Sequence, residues 1–169
     1  MSDLVIYKHN ELIDNFIFNA TELELQILNY AVATTNPHWE NKNAVYTISI
    51  HSLVNTYKTK SKDAHKRYKD ALIRLMDRKY TYIDTDGELC IENLITRTKP
   101  NKDNKNSLQF RLNDYISTRI SNLQGFFTKY DIENIAKFRS RYAFMLYEFF
   151  KMLLNKNTNK IRIKNLRYC

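Results

Sequence analysis

The sequence predicts an α+β fold, a helix bundle with a small antiparallel sheet and a protruding hairpin, and three observations predict it. Stretches with helical apolar spacing alternate with short β-branched runs. Only two glycines and two prolines occur in 169 residues, so the regular elements are long and tight turns few. Residues 126–150, FFTKYDIENIAKFRSRYAFMLYEFF, end in an apolar run too continuous for a surface helix. A chain of this length forms one ordinary domain, or one domain plus the start of another, with a sizeable core.

Each element has its own signal. After a short apolar start, Leu4-Val5-Ile6-Tyr7, Asn10 caps a brief helix through Glu11, Leu12 and Ile13. Thr21 and Glu24 have capping-box spacing, and Leu23, Ile27, Tyr30 and Ala31 recur at helical intervals, predicting a helix over 21–34 that the Asn36-Pro37 break closes. Residues 44–50, AVYTISI, alternate as a strand does. A short helix over 51–57 and a long one over 62–79 follow, the second with Ala64, Tyr68, Ala71, Leu72 and Leu75 on its inner face. Tyr80 to Ile83 and a run from Leu89 towards Thr98 flank an Asp86-Gly87 turn and read as a hairpin. The polar run 99–106 is a loop, and Leu108 to Leu112 is the returning strand. This order is that of a winged helix, with 62–79 as its nominal recognition helix and the loop near 99–106 as a wing.

The net charge of +9 is unevenly distributed. Residues 1–53 carry two basic and six acidic side chains, and residues 54–80 carry nine basic and three acidic. Residues 81–134 are close to neutral, while 135–169 hold nine basic side chains against one acidic. Two basic blocks around a neutral segment are the footprint of a polyanion-binding surface. Neither block has the Trp, Phe and Leu face of a membrane-surface helix, and no apolar run approaches the ~18 residues of a span. Cys90 and Cys169 make no disulfide framework, so a reducing cytoplasm fits.

On the 62–79 helix, Lys62, Lys66 and Lys69 lie opposite the apolar face, with Arg67, Arg74 and Arg78 flanking and Asp63, Asp70 and Asp77 interleaved. With Lys60 just before it, this face suits phosphate contact, and His65 or Arg67 would lie near base edges. The competing reading is a solvated helix laced with i,i+3 and i,i+4 ion pairs, each contributing only ~0.3–0.5 kcal/mol. The aspartates favour backbone contact over base readout. Lys99, Lys102 and Lys105 of the wing have the same two readings, phosphate contact or simple exposure.

Enzymatic readings lack parts. His9, His38, His51 and His65 are dispersed, without H-x-H or HExxH spacing, so no metal site is specified and no cofactor is expected. Two glycines cannot build a phosphate-cradling loop. The twelve tyrosines therefore read as core and interface residues.

In the run 126–150, Asp131 and Glu133 open a short amphipathic turn, and Arg139-Ser140-Arg141 precedes a long helix. Tyr142, Leu146, Phe149 and Leu153 share one face, whereas Glu148 and Lys151 form a polar strip that contains Phe144. Such a helix is a domain's central helix or a joint between two units. Arg139 and Arg141 form a basic collar at its N-terminus, where the macrodipole disfavours cations. That placement points to an external anion, or else to solvated arginines at the mouth of a core helix.

Three stretches together resemble a known family, the plasmid replication initiators of the Rep_3 type. They are residues 5–28 (VIYKHNELIDNFIFNATELELQIL), residues 107–116 (SLQFRLNDYI) and, most specifically, residues 126–150. The resemblance spans nearly the whole chain, with the middle elements matching in order and spacing. It implies two winged-helix domains in tandem, the first for dimerisation and phosphate contact, the second reading origin repeats (iterons). It implies a dimer that represses its own gene and a monomer that opens the origin and recruits host replication factors. Ser140, Arg141, Tyr142, Leu146, Tyr147 and Glu148 then begin the helix joining the domains.

The expected arrangement is thus a first domain over 1–155 and the start of a second over 156–169, the sequence ending where that second domain would only be starting. Its expected DNA-binding residues are Lys60, Lys62, His65, Lys66, Arg67, Lys69, Lys99, Lys102, Lys105, Arg139 and Arg141. Those expected at a dimer or interdomain contact are Tyr82, Cys90, Ile91, Phe144 and Tyr147. The alternatives are a self-association module, suggested by an exposed Phe144 and the apolar edge of the 80–98 hairpin, and a free-standing transcriptional repressor.

Overall fold

A computed structural model describes residues 4–15, 19–39, 44–84, 86–98 and 106–156. The wing lysines Lys99, Lys102 and Lys105 and the segment 157–169 lie outside the described residues. Three antiparallel sheets and seven helices make up the rest.

The chain begins with strand β1 (Val5–His9), which pairs with β7 (Phe127–Asp131) in register Ile6↔Tyr130. Neither strand was legible as such in the sequence. Helix α1 (Asn10–Asn15) follows directly, and here the expected cap is different. Asn10 is inside the helix and its side-chain oxygen accepts from Thr128 Oγ1 at 2.7 Å, while His9 Nδ1 accepts the Glu11 N–H at 3.3 Å. The β1–β7 pairing brings Thr128 over Asn10 and so redirects the amide.

Helix α2 (Glu22–Ala33) opens with the predicted capping box, both of its reciprocal bonds present. Strand β2 (Val45–Ser49) runs into α3 (Ile50–Tyr57), which Ser49 caps. Helix α4 (Ala64–Met76) is shorter at both ends than its periodicity suggests, and its predicted inner face is buried throughout.

The hairpin strands β3 (Lys79–Ile83) and β4 (Leu89–Asn93) are joined by a turn in which Asp84 Oδ1 accepts the Asp86 and Glu88 N–H groups. Gly87 there takes φ +84°, which only glycine adopts freely. The run from Leu89 does not continue unbroken to Thr98. It breaks at buried Leu94, whose N–H donates to Arg78 O and whose carbonyl accepts from Asn113 N. The chain then changes sheet, and β5 (Ile95–Thr98) joins β6 (Ser107–Leu112) and β2 in the order β2-β6-β5. Helix α5 (Asp114–Thr118), capped by Asn113, leads towards β7, and a short α6 (Ile132–Ile135) precedes α7 (Arg141–Asn155).

One continuous core links these layers, from Ile27 and Ala31 of α2 through Leu53, Tyr68 and Leu75 to Phe110 and Leu112 of the sheet. Helix α7 is rotated from the orientation its hydrophobicity suggests: Phe149 of the expected face is buried, but Tyr142 is exposed and Phe144 and Met152 are buried instead. Phe144 is 1 % exposed rather than lying in a solvated strip, with its ring edge-on to Phe138 at 5.7 Å. Glu148 also points inward, accepting from Lys8 Nζ at 2.5 Å and from the Tyr130 hydroxyl. Tyr142, Phe150 and Leu154 remain open to solvent. A carboxylate with two buried donors tolerates the interior, so the polar strip becomes part of the packed face.

Candidate nucleic-acid interface

The candidate interface is the outer face of α4, and three devices fix that helix. Its inner face buries Tyr68, Ala71 and Leu75 completely against the core. Tyr68 extends a hydroxyl that donates to Gln26 Oε1 of α2 at 2.6 Å and meets Thr59 Oγ1 at 3.0 Å. Glu24 forms the third device. Its carboxylate, fully buried at the third position of α2, accepts Arg74 Nε at 3.1 Å, Arg78 Nε at 3.0 Å and the Thr21 N–H at 3.0 Å. Burial pushes this carboxyl's pKa up, but the bonds from Arg78, the Thr21 amide and Arg74 outweigh it and hold the group below its ordinary value. Arg74 and Arg78 therefore lock α4 onto α2, and part of the first basic block is structural.

The rest of that block stays free. Lys60, Lys62, His65, Lys66, Arg67 and Lys69 are exposed, and none has a side-chain hydrogen bond or ion pair among the described residues. The lattice of ion pairs with Asp63, Asp70 and Asp77, one of the two readings of the sequence, does not form. With Lys66 and Lys69 on one stripe of the helix, a row of unpaired ammonium groups faces solvent on a rigid element.

The collar at α7 divides. Arg139 donates through Nη1 to the carbonyls of Ala136 and Phe138 and through Nη2 to that of Tyr57. These carbonyls lie at or just beyond the C-terminal ends of α6 and α3, where a cation is favoured. Its position at the N-terminus of α7 is incidental, and no external anion is needed to explain it. Arg141 lies over its neighbour's ring, donating to the Tyr142 hydroxyl at 2.7 Å with its guanidinium 4.7 Å from the ring centre.

The residues expected at a dimer or interdomain contact fall into different places. Alternation along the hairpin separates them: Tyr82 packs 3.7 Å from the Tyr115 ring centre and Cys90 Sγ donates to Asp84, whereas Ile91 faces outward at 61 % exposure. Tyr147 packs edge-on against Tyr130 and Phe138. Sequence reasoning missed Arg97 and Arg111, which stand opposite each other across β5 and β6. Only the pairing register brings them together, although the alternation of Leu108, Phe110 and Leu112 marks Arg111 as outward-facing.

A β2-β6-β5 sheet, helices α2 to α4 in the expected order and a basic outer face on α4 define a winged-helix domain. A model of the family described as "Initiator Replication protein, WH1" matches residues 5–151, and the chain belongs to that family. Among solved structures it is similar to the Pi initiator protein in complex with iteron DNA, with a TM-score of 0.67 and 18 % identity, covering 90 % of this chain. The chain spans 65 % of that structure's chain, just under two thirds of its length. The WH1 domain of a replication protein isolated from a multiple sclerosis patient matches with a TM-score of 0.40 and 16 % identity, over 61 % of this chain and 82 % of that one. No curated protein sequence matches. Among the described residues, no group of three or more His, Cys, Asp or Glu side chains is placed to hold a metal ion, and no helix is long and apolar enough to cross a membrane.

Proposed function

We propose that this chain is the first winged-helix domain of a plasmid replication initiator, acting without catalysis in the cytoplasm by binding the duplex DNA of an origin. The observation that carries the reading is the row of exposed, unpaired cations at Lys66, Arg67 and Lys69 on a helix fixed through Glu24, with Lys60 and Lys62 just before it and His65 exposed beside them. The Pi initiator complex supports it by its fold. In this reading Lys99, Lys102 and Lys105 add phosphate contacts from the wing, and Arg139 acts only by bracing α7. The whole initiator would open the origin, engage host replication factors and repress its own gene as a dimer.

Duplex binding is expected to weaken steeply between about 50 and 200 mM salt, because each neutralised phosphate contributes roughly −0.9 to the slope of log K against log salt. Replacing Lys62, Lys66 and Lys69 together by alanine should reduce that slope by about 2–3 and weaken all sequences alike. A fluorescence-anisotropy salt series on origin and scrambled duplexes measures both. An unchanged slope in the triple variant would remove α4 from the interface, and a loss confined to one sequence would make it a base reader.

A second role, self-association, is favoured by the hairpin. Ile83, Leu89 and Ile91 are 57 %, 65 % and 61 % exposed on one face, and β3 and β4 pair only with each other among the described residues. An apolar face beside open strand edges suits a second copy of the chain. Sedimentation over a concentration series should reveal a dimer that Ile91→Lys converts to monomer. A wild-type chain that is monomeric at every concentration rules this role out.

A further inference from the structure

Ile73 is out of place on α4. It lies on the side of the helix away from Tyr68, Ala71 and Leu75 and is 60 % exposed. A β-branched side chain there contributes neither burial nor helix propensity. Its neighbours at helical spacing on the same face are Lys66 and Lys69, seven and four residues earlier, and Met76, three residues later and 38 % exposed. Met76 Sδ accepts the Thr98 hydroxyl at 3.4 Å, which holds that side chain against β5.

The second half of α4 is not made to grip a phosphate. Its cations, Arg74 and Arg78, are drawn to Glu24, and Asp70 and Asp77 lie beside Ile73, three residues before it and four after. Nor is it made for a second protein, since two partly exposed apolar side chains fall far short of the ~800 Å2 that each partner of a stable complex buries. What it offers is a small apolar surface in line with unpaired lysines. That combination is complementary to duplex DNA, whose major groove presents one apolar group, the 5-methyl of thymine, between two anionic backbones.

We infer that Ile73 is a specificity-determining residue, packing on a thymine methyl in the major groove while Lys66 and Lys69 hold the backbone. The inference rests on the DNA-binding reading of α4 and adds a base preference to it. Seven residues separate Lys66 from Ile73, about 10 Å of helical rise, within the ~12 Å width of the major groove. The middle of the outward face of a helix in that groove comes nearest the base edges. Ile73 occupies it, whereas the lysines have stems long enough to reach sideways to phosphates. Asp70 and Asp77 suit the same placement, because a carboxylate at a base edge accepts from the cytosine amino group while one at the backbone is repelled.

The test compares a duplex of A·T pairs with the same duplex carrying deoxyuridine at every thymine, for the wild type, Ile73→Ala and Ile73→Val. The two duplexes have identical phosphates and differ in the methyl alone. The wild type should bind the thymine duplex about fourfold more tightly, the worth of one buried methyl group. Ile73→Ala should bind both alike and Ile73→Val should keep part of the difference. Ile73→Ala should also melt no lower than the wild type, since the position is exposed and alanine is the better helix former. Salt slopes should be the same throughout, because no phosphate contact is lost. If the wild type binds both duplexes equally, or if Ile73→Ala retains the fourfold difference, the inference is overturned; a slope that still depends on Lys62, Lys66 and Lys69 would leave the DNA-binding reading standing. If the wild type binds neither duplex at low salt, both fail.

Discussion

Glu24→Ala is expected to lower the stability of the domain by about 3 kcal/mol, the lower end of what removing one partner of a buried ion pair costs. The low end applies because the charges left behind are only partly buried: the Arg74 and Arg78 side chains are 47 % and 27 % exposed and regain water. The variant also loses half of the capping box at the start of α2. Glu24→Gln should cost less, since an amide oxygen still accepts one or two of the four bonds now converging on the carboxylate.

Glu24 also fixes a pH dependence. Its folded pKa lies below the ordinary value of 4.5, so the native state holds its protons less tightly than the unfolded chain. The stability this contributes is complete above about 4.5 and is lost as pH falls through the lower, folded value. Chemical denaturation at pH 7 and at successive steps below pH 5 should show a flatter acid limb in Glu24→Gln than in the wild type. The limb will not vanish, because Glu11 is lowered as well: burial pushes its pKa up, and bonds from Arg119 and Tyr115 more than offset that. Parallel acid limbs in the two proteins would show that Glu24 does not couple α4 to α2.

Phe144→Ala should cost about 3–5 kcal/mol, the range for emptying a buried phenylalanine site, and should lower the melting temperature by roughly 10 °C. Phe144 is 1 % exposed and holds α7 against Phe138 and the core. Phe150→Ser, six residues along the same helix, should change stability by less than about 1 kcal/mol because Phe150 is 46 % exposed. Thermal unfolding of the pair decides which face of α7 is inside. Equal losses, or the larger loss at Phe150, would reverse the orientation described above.

How far the sequence could be read varied with how local the cause was. The capping box at Thr21 and Glu24 was legible because both partners lie within one turn, and so was the inner face of α4, whose five apolar residues follow the helical period. The Asp86-Gly87 turn was legible for the same reason. Strands β1 and β7 were not, since their partners are more than 110 residues apart and neither strand alternates strongly enough to stand alone. The break at Leu94 was also hidden, because Arg78 and Asn113, which pull the chain there from one sheet to the next, are distant in sequence. In the interface, the free lysines of α4 were predictable from their helical positions. The structural role of Arg74 and Arg78 depended on a carboxylate fifty residues earlier.

The apolar run of α7 shows where this division falls. From sequence alone it was a helix buried on several sides with a basic collar at the wrong end, and its residues carried the family resemblance. Sequence determines that the helix forms and how its side chains are spaced, because both follow from backbone geometry and local propensity. Only the tertiary structure decides which face is inside, because Glu148 can turn inward once Lys8 and Tyr130 supply donors. It also decides what the collar does, since Arg139 answers to carbonyls at the ends of two other helices. A charge's role depends on its partner, and here the partners come from distant parts of the chain.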